Sequence, residues 1–284
     1  MLDFQTRRRM FDRLMVFLCG AAAFLAGIPL VSLLLYVLLQ GFKRLDWTFI
    51  ISLPTPVGVT GGGMGNAILG TLTLVVIASC VGLPVGILAG VYLSEYGKKG
   101  NFAWLVRFTA DVLSGVPSIV TGIVAYTLIV KSMHNFSAIA GGIALGFMMI
   151  PITTRTTEEL VKMVPHSIRE ASWALGVSQW KTVLQIVIRT AKNGILTGVL
   201  LSIARIAGET APLLFTSFNN QFWPRGINEP TASLTVQVFT YAISPFKDWQ
   251  DKAWGASLVL LIVVLALNLS VKALTRAKFI TVVE

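Results

Sequence analysis

Charge is scarce in this chain. Acidic and basic side chains make up 13% of its 284 residues, about half the roughly 25% usual in a soluble domain. Apolar residues make up 55% and mean hydropathy is +0.75. A water-soluble core could not hide that much apolar surface, so lipid must solvate the chain. Cysteine is nearly absent. Cys19 and Cys80 both sit inside apolar runs, where they behave as small hydrophobes; neither has a partner for nucleophilic work. His134 and His166 stand apart, and neither spacing suggests a metal site. There is no G-x-x-x-x-G-K-[ST], which excludes a P-loop for ATP. The Gly61-Gly62-Gly63 run only imitates a phosphate-cradling loop, because no Lys-Ser or Lys-Thr follows it. It reads instead as a flexible lead-in to the next apolar segment. No catalytic constellation is left, and the chain is expected to hold no cofactor or metal of its own.

What it does have is long apolar runs. Six are long enough to cross about 30 Å of hydrocarbon as helices, at approximately 14–40, 66–93, 104–131, 137–155, 193–217 and 253–271. The sixth is sharply bounded, with no charge between Lys252 and Lys272. The sequence therefore predicts an all-α membrane protein: a short segment at 1–13, then one six-span domain over 14–284. Pro29, Pro84, Pro117, Pro151 and Pro212 fall within five spans, which a bundle tolerates because neighbours re-satisfy the freed carbonyls. Gly82/Gly86/Gly90, Gly142/Gly146 and Gly194/Gly198 form small-residue faces that let backbones approach closely. The first apolar run is about twice as long as a signal-peptide core, so it reads as a permanent anchor. The second outer loop, 218–252, carries Trp223 and Trp249 near its ends, with Trp254 just beyond, as interfacial anchors would be. Its middle, 231–243, reads as a short helix or strand lying on the surface.

Basic residues give the orientation. With the N-terminus inside, sixteen fall on inner segments: Arg7, Arg8, Arg9, Arg13, Lys98, Lys99, Arg107, Arg155, Lys162, Arg169, Lys181, Arg189, Lys192, Lys272, Arg276 and Lys278. Only six fall outside: Lys43, Arg44, Lys131, Arg225, Lys247 and Lys252. The bias places both termini and the 156–192 loop in the cytoplasm. Topology and anionic lipid account for the net charge of +10 without nucleic acid.

Two charge pairs lie inside spans. Arg205 and Glu209 are spaced i,i+4 on the fifth, one face of a helix. Arg205 is about 12 residues, or some 18 Å, from the start of that span, near the bilayer midplane. An unpaired charge there costs at least about 2.5–3.5 kcal/mol, so it must face partners or water. Either the two form a self-neutralising packing pair, or Arg205 offers a planar fork of donors to an oxyanion while Glu209 holds the guanidinium and eases release. Arg107 and Asp111 repeat the spacing on the third span, nearer the cytoplasm, where Arg107 can snorkel to the interface.

The stretch 155–192 is a basic, polar insert between two apolar spans. Ser167 precedes Ile168 and has Glu170 three places on, the S-x-x-E pattern of a capping box. Gly176 suits the left-handed residue that ends a helix, and Ser178 can cap a second helix through Trp180, Val183, Leu184 and Ile188. The insert resembles the EAA loop of ATP-binding-cassette importer permeases: Glu170, Ala171, Gly176 and Ile186 fit, whereas Ser172, Ile188 and Arg189 replace the third motif residue, Leu and Pro. The runs Asp111–Val120 and Ala204–Leu214, with the Arg169-Glu170-Ala171-Ser172-Trp173-Ala174-Leu175-Gly176 form of the loop, are similar to those of phosphate-importer permeases of the PstA type. That resemblance covers essentially the whole chain.

The resemblance implies a type I importer (MetI-like) permease fold in the bacterial inner membrane, with no enzymatic activity in this chain. The implied partners are a second permease (PstC type), two ATPase subunits (PstB type) carrying ATP and Mg, and an external phosphate-binding protein (PstS type). Ser167, Glu170, Ala171 and Gly176 would meet the ATPase; Arg205, Glu209, Arg107 and Asp111 would line the substrate path. The rival readings are a permease of the same architecture for phosphonate, sulfate or molybdate, and an ion-coupled secondary transporter.

Overall fold

The computed structural model describes residues 4–59, 61–97 and 100–276, and for 4–6 and 270–276 the backbone alone. Lys98, Lys99 and Lys278, counted above for orientation, lie outside the described residues. All regular structure among the described residues is helical. In chain order the helices are α1 (Phe4–Phe42), α2 (Trp47–Ile51), α3 (Gly65–Glu95) and α4 (Asn101–Gly115), then α5 (Ser118–Met133). They continue as α6 (Ala138–Lys162) and α7 (His166–Ala174), then α8 (Gln179–Ala207). The last three are α9 (Ala211–Thr216), α10 (Leu234–Ala242) and α11 (Lys247–Arg276). Five helices are long and apolar enough to cross a membrane, and six spans result if α4 and α5 count as one.

Helix α6 is the centre of the bundle, and the predicted small-residue faces all meet on it. A Cβ at Gly82 would sit 2.8 Å from Met149 Cβ, and one at Gly90 would sit 2.6 Å from the Thr154 carbonyl. From the other side, a Cβ at Gly142 would lie 2.4 Å from Ile77 Cγ2. Gly194 and Gly198 of α8 press on Leu160 and Thr156 of α6 in the same way. Without these glycines the backbones of α3, α6 and α8 could not approach as they do. Leu74, Ala78, Leu145, Met149, Ile206 and Leu213 fill the space where α3, α6, α8 and α9 converge. Helix α1, by contrast, is almost wholly exposed along its apolar length and touches α11 only near its end, with Tyr36 edge-on to Trp254 at 4.9 Å.

Two predicted spans are interrupted. The third is two helices, α4 and α5, bent by 106° at Val116–Pro117. Proline pushes the residue before it out of the helical region, and Val116 and Pro117 are both extended, with ψ of 128° and 136°. The fifth ends at Ala207; Gly208 and Glu209 leave the helix, and α9 restarts just beyond with Pro212 in its first turn.

The loops are more tightly held than the sequence suggests. The glycine run is not a loose lead-in: Gly63 N–H donates to Leu53 O at 2.9 Å, Met64 N–H to Phe49 O at 2.8 Å and Gly65 N–H to Ser52 O at 3.0 Å. Those bonds dock it on α2, whose start is capped by Asp46 Oδ1 accepting from Phe49 N–H at 2.7 Å. That bond holds the Asp46 carboxyl below the usual carboxylate range. The 231–243 element is a helix, but it is buried rather than laid on the surface. Leu234, Val236, Gln237 and Tyr241 are inaccessible, and Leu234 N–H donates to Thr71 Oγ1 of α3 at 2.9 Å. Only Gly70 could admit it, since a Cβ there would lie 1.9 Å from Ala232 O. Trp249 is drawn inward too, stacked on Tyr241 at 4.4 Å.

Candidate functional site

Residues 166–192 form the helix pair that the polar insert predicts, with one boundary moved. Helix α7 begins after Pro165, whose extended ψ of 142° makes it the boundary residue. Ser167 therefore lies inside the helix and makes no capping bond, so the predicted capping box with Glu170 does not form. Both side chains point to solvent, as does Ala171. Gly176 does take the left-handed conformation, at φ +75°. Val177 N–H donates to Ser172 O at 3.2 Å and Gly176 N–H to Trp173 O at 2.9 Å, which is the Schellman pattern of orphan carbonyls satisfied by a reversing chain. Ser178 occupies the cap of the second helix without a side-chain bond.

Ser172, one of the departures from the motif, is buried and shares a 2.8 Å hydrogen bond with Thr182 Oγ1. The departure thus ties one helix of the pair to the other. Arg189 replaces a proline with a residue that can donate its backbone N–H, and α8 runs unbroken past it, after a π-helical stretch at Thr182–Val187. The outer surface of the pair exposes Trp173, Leu175, Trp180 and Leu184 beside Glu170. Exposed aromatic and aliphatic side chains on a polar insert mark an interaction surface.

Neither intrahelical charge pair forms. Arg205 sits two residues from the end of α8, exposed, and among the described residues it has no ion pair. An i,i+4 pair needs helix through the second residue, and α8 stops at Ala207. Glu209 is half-buried in the break, where its backbone carbonyl accepts from Thr235 Oγ1 at 3.0 Å. Residues 208–210 are thereby attached to buried helix α10.

Arg107 and Asp111 do share a face of α4, yet each pairs across to α6. Arg107 Nε donates to Glu158 Oε1 at 2.7 Å, and its Nη2 to Leu93 O and Gly97 O. Asp111 accepts from both Nε and Nη2 of Arg155, and Arg155 Nη1 reaches Glu158 Oε2 at 3.2 Å. Lys162 adds a third cation to Glu158, at 2.6 Å. Glu158, 1% exposed, is the hub of this network. The sequence reading missed it, along with Arg155 and the buried pair Glu95–Arg169. Arg155, Glu158 and Lys162 fall at i, i+3 and i+7, a helical stripe of charge that was legible only as polarity.

The binding-protein-dependent transport system inner-membrane component family matches residues 82–277. A phosphate transport system permease protein PstA of Yersinia pestis is 42% identical over 96% of this chain and 93% of its own length. Its counterpart in Xylella fastidiosa Temecula1 is 48% identical over 78% of this chain and 77% of its own length. A bacterial alginate ABC transporter, solved with a pentasaccharide-bound periplasmic protein, superposes with a TM-score of 0.67 at 13% identity, covering 97% of this chain and 98% of that one. The inward-facing MetNI methionine transporter does so with 0.61 at 16% identity, over 76% of this chain and 94% of that one. At such identities these two show the fold alone, a MetI-like ABC permease architecture. The family match over residues 82–277 and the PstA relatives, 42% and 48% identical over most of the chain, establish that it belongs to the inner-membrane components of binding-protein-dependent transport systems, among the PstA-type permeases.

Proposed function

We propose that the chain forms, with a homologous second permease of the PstC type, the path by which inorganic phosphate crosses the inner membrane. Two ATPase subunits of the PstB type hydrolyse ATP with Mg, and an external binding protein of the PstS type delivers the anion. This chain carries no nucleotide and no resident cofactor. Arg205, exposed at the break between α8 and α9 and without an ion pair among the described residues, carries the reading. Within a membrane such a charge must face water or an anion, and broken helices in transporters line cavities rather than lipid. Its planar fork matches two oxygens of a tetrahedral oxyanion.

The face bearing Glu170, Ala171, Trp173 and Leu175, reversed at Gly176, is the surface offered to the ATPase. Its cytoplasmic placement follows from the sixteen-to-six bias of basic residues. A reporter fused after Leu175 is expected to read cytoplasmic and one after Asn228 external; an external reading at Leu175 would invert the arrangement.

The substrate is tested by ATP-driven uptake of labelled phosphate into vesicles containing the whole complex, with excess phosphonate, sulfate or molybdate as competitor. Phosphate alone is expected to compete. Competition by sulfate or molybdate to the same degree would favour a permease for another oxyanion. Uptake that follows an ion gradient and ignores ATP would favour a secondary transporter.

A further inference from the structure

A buried ion pair is one of the links between helix α7 and the spans. Glu95 is the last residue of α3, Arg169 lies in the middle of α7, and each side chain is 5% exposed. Arg169 Nε donates to Glu95 Oε2 at 3.1 Å while Nη2 donates to Oε1. The other donors go to backbone carbonyls: Nη1 to Val164 O at 2.6 Å and Pro165 O at 3.4 Å, Nη2 to Val161 O at 3.0 Å. All five guanidinium N–H groups are therefore used inside the protein. Arg169 also lines a cavity of about 420 Å³ with Arg107, Lys162 and His166. With no donor left over, Arg169 has none to offer an anion there.

The acceptors define what the side chain does. Val161 belongs to the last turn of α6, and Val164 and Pro165 to the connection that follows. Val161 O also accepts from Val164 N–H at 3.2 Å and Pro165 O from Ile168 N–H at 3.3 Å, so Arg169 adds a second bond to each and gives the Val164 carbonyl its 2.6 Å partner. Arg169 thus fastens α7 at once to the end of α6 and, through Glu95, to the end of α3. Those two helices already pack backbone to backbone along Gly82, Gly86 and Gly90. Besides the pair, α7 is held by residues 163–165, by Ile168 packed against the cluster of Val91, Val161 and Val187 and by the Ser172–Thr182 bond to α8; the pair adds the directional bonds that fix its angle to the ends of α3 and α6. A buried ion pair is a poor source of net stability, but one with every donor filled fixes geometry, and breaking it leaves desolvated charge.

We propose that Glu95 and Arg169 are a positioning pair that makes α7 move as one body with α3 and α6, so that displacement of α7 by the ATPase reaches the spans. The proposal rests on the reading of the chain as an ATP-driven importer permease. Without the pair, the ATPase would still dock and cycle, but α7 would shift against the ends of α3 and α6 and much of the stroke would be lost.

The test uses the complete complex in vesicles, with external binding protein and phosphate, and measures ATP hydrolysed and phosphate imported together. The double variant Glu95→Met/Arg169→Met removes the bonds while keeping apolar volume and orphaning no charge. It is expected to assemble with the ATPase and hydrolyse ATP, while phosphate moved per ATP falls about tenfold, within the range that coupling free energies of about 1–3 kcal/mol produce. Arg169→Lys, which keeps the charge but loses the fork, should give an intermediate ratio. An unchanged ratio in the double variant overturns the proposal. So does loss of ATPase association, because the pair would then only shape the docking face. The exchange Glu95→Arg/Arg169→Glu is the second construction; if neither double variant accumulates in the membrane, the pair is a folding element and the proposal falls. Failure of the importer reading is distinct, since the wild-type complex itself would then show no ATP-driven uptake.

Discussion

Arg205→Gln is expected to abolish phosphate uptake while leaving the amount of protein in the membrane unchanged. Two charge-assisted hydrogen bonds at about 1.5–3 kcal/mol each correspond to a loss of roughly 100-fold or more at tenfold per 1.4 kcal/mol. Abundance should hold because Arg205 is exposed and has no ion-pair partner among the described residues, so removing it orphans no buried carboxylate. Arg205→Lys keeps the charge but not the fork, and should retain only part of the uptake. Glu209→Gln should leave abundance intact, because the tie of residue 209 to Thr235 runs through its backbone carbonyl. The double variant Arg205→Gln/Glu209→Gln should be as inactive as Arg205→Gln alone. Quantitative blotting beside labelled-phosphate uptake decides the matter. Restored uptake in the double variant, or a fall in abundance that matches the loss of uptake, would make the two residues a packing pair and leave the anion without a named ligand.

How far the sequence could be read depended on whether a signal was local. Span positions follow from apolar run length, and the glycine faces from spacing; both kinds of signal sit in consecutive residues, and α3, α6 and α8 pack through those glycines. Gly176 was legible for the same reason, since only its own backbone conformation is at issue. Breaks were harder. Pro117 was visible, yet a proline inside a span kinks some helices and divides others; α1 passes Pro29 unbroken while α4 and α5 part at 106°. What decides is the packing around the freed carbonyls, which spacing does not encode. Charge pairing was least legible. The i,i+4 rule correctly put Arg107 and Asp111 on one face but could not reveal that α6 presents Glu158 and Arg155 opposite them. Helix α10 was misjudged because its burial depends on Gly70, more than 150 residues away, leaving room for Ala232.

Glu158→Gln is expected to be the most destabilising single change in the α4–α6 network. The carboxylate is 1% exposed and accepts from Arg107, Arg155 and Lys162. Breaking a fully buried pair by removing one partner costs about 3–5 kcal/mol; here the cations left behind are 27%, 31% and 53% exposed, so water offsets part of that cost. Gln keeps the shape but brings an N–H₂ to face guanidinium and ammonium groups where an oxygen had accepted. The loss should grade with the burial of the group removed. Lys162→Ala takes away a half-exposed ammonium and should matter little, as exposed pairs contribute about 0–1 kcal/mol. Asp111→Asn, 60% exposed at the side chain, should be similarly mild. Arg107→Gln belongs between these, since its guanidinium also closes the carbonyls of Leu93 and Gly97 at the end of α3. Thermal unfolding of the purified complex in detergent, read beside membrane abundance, ranks the four. If Glu158→Gln melts with the wild type, water reaches the hub freely, and α4 is held to α6 by its apolar contacts instead of by charge.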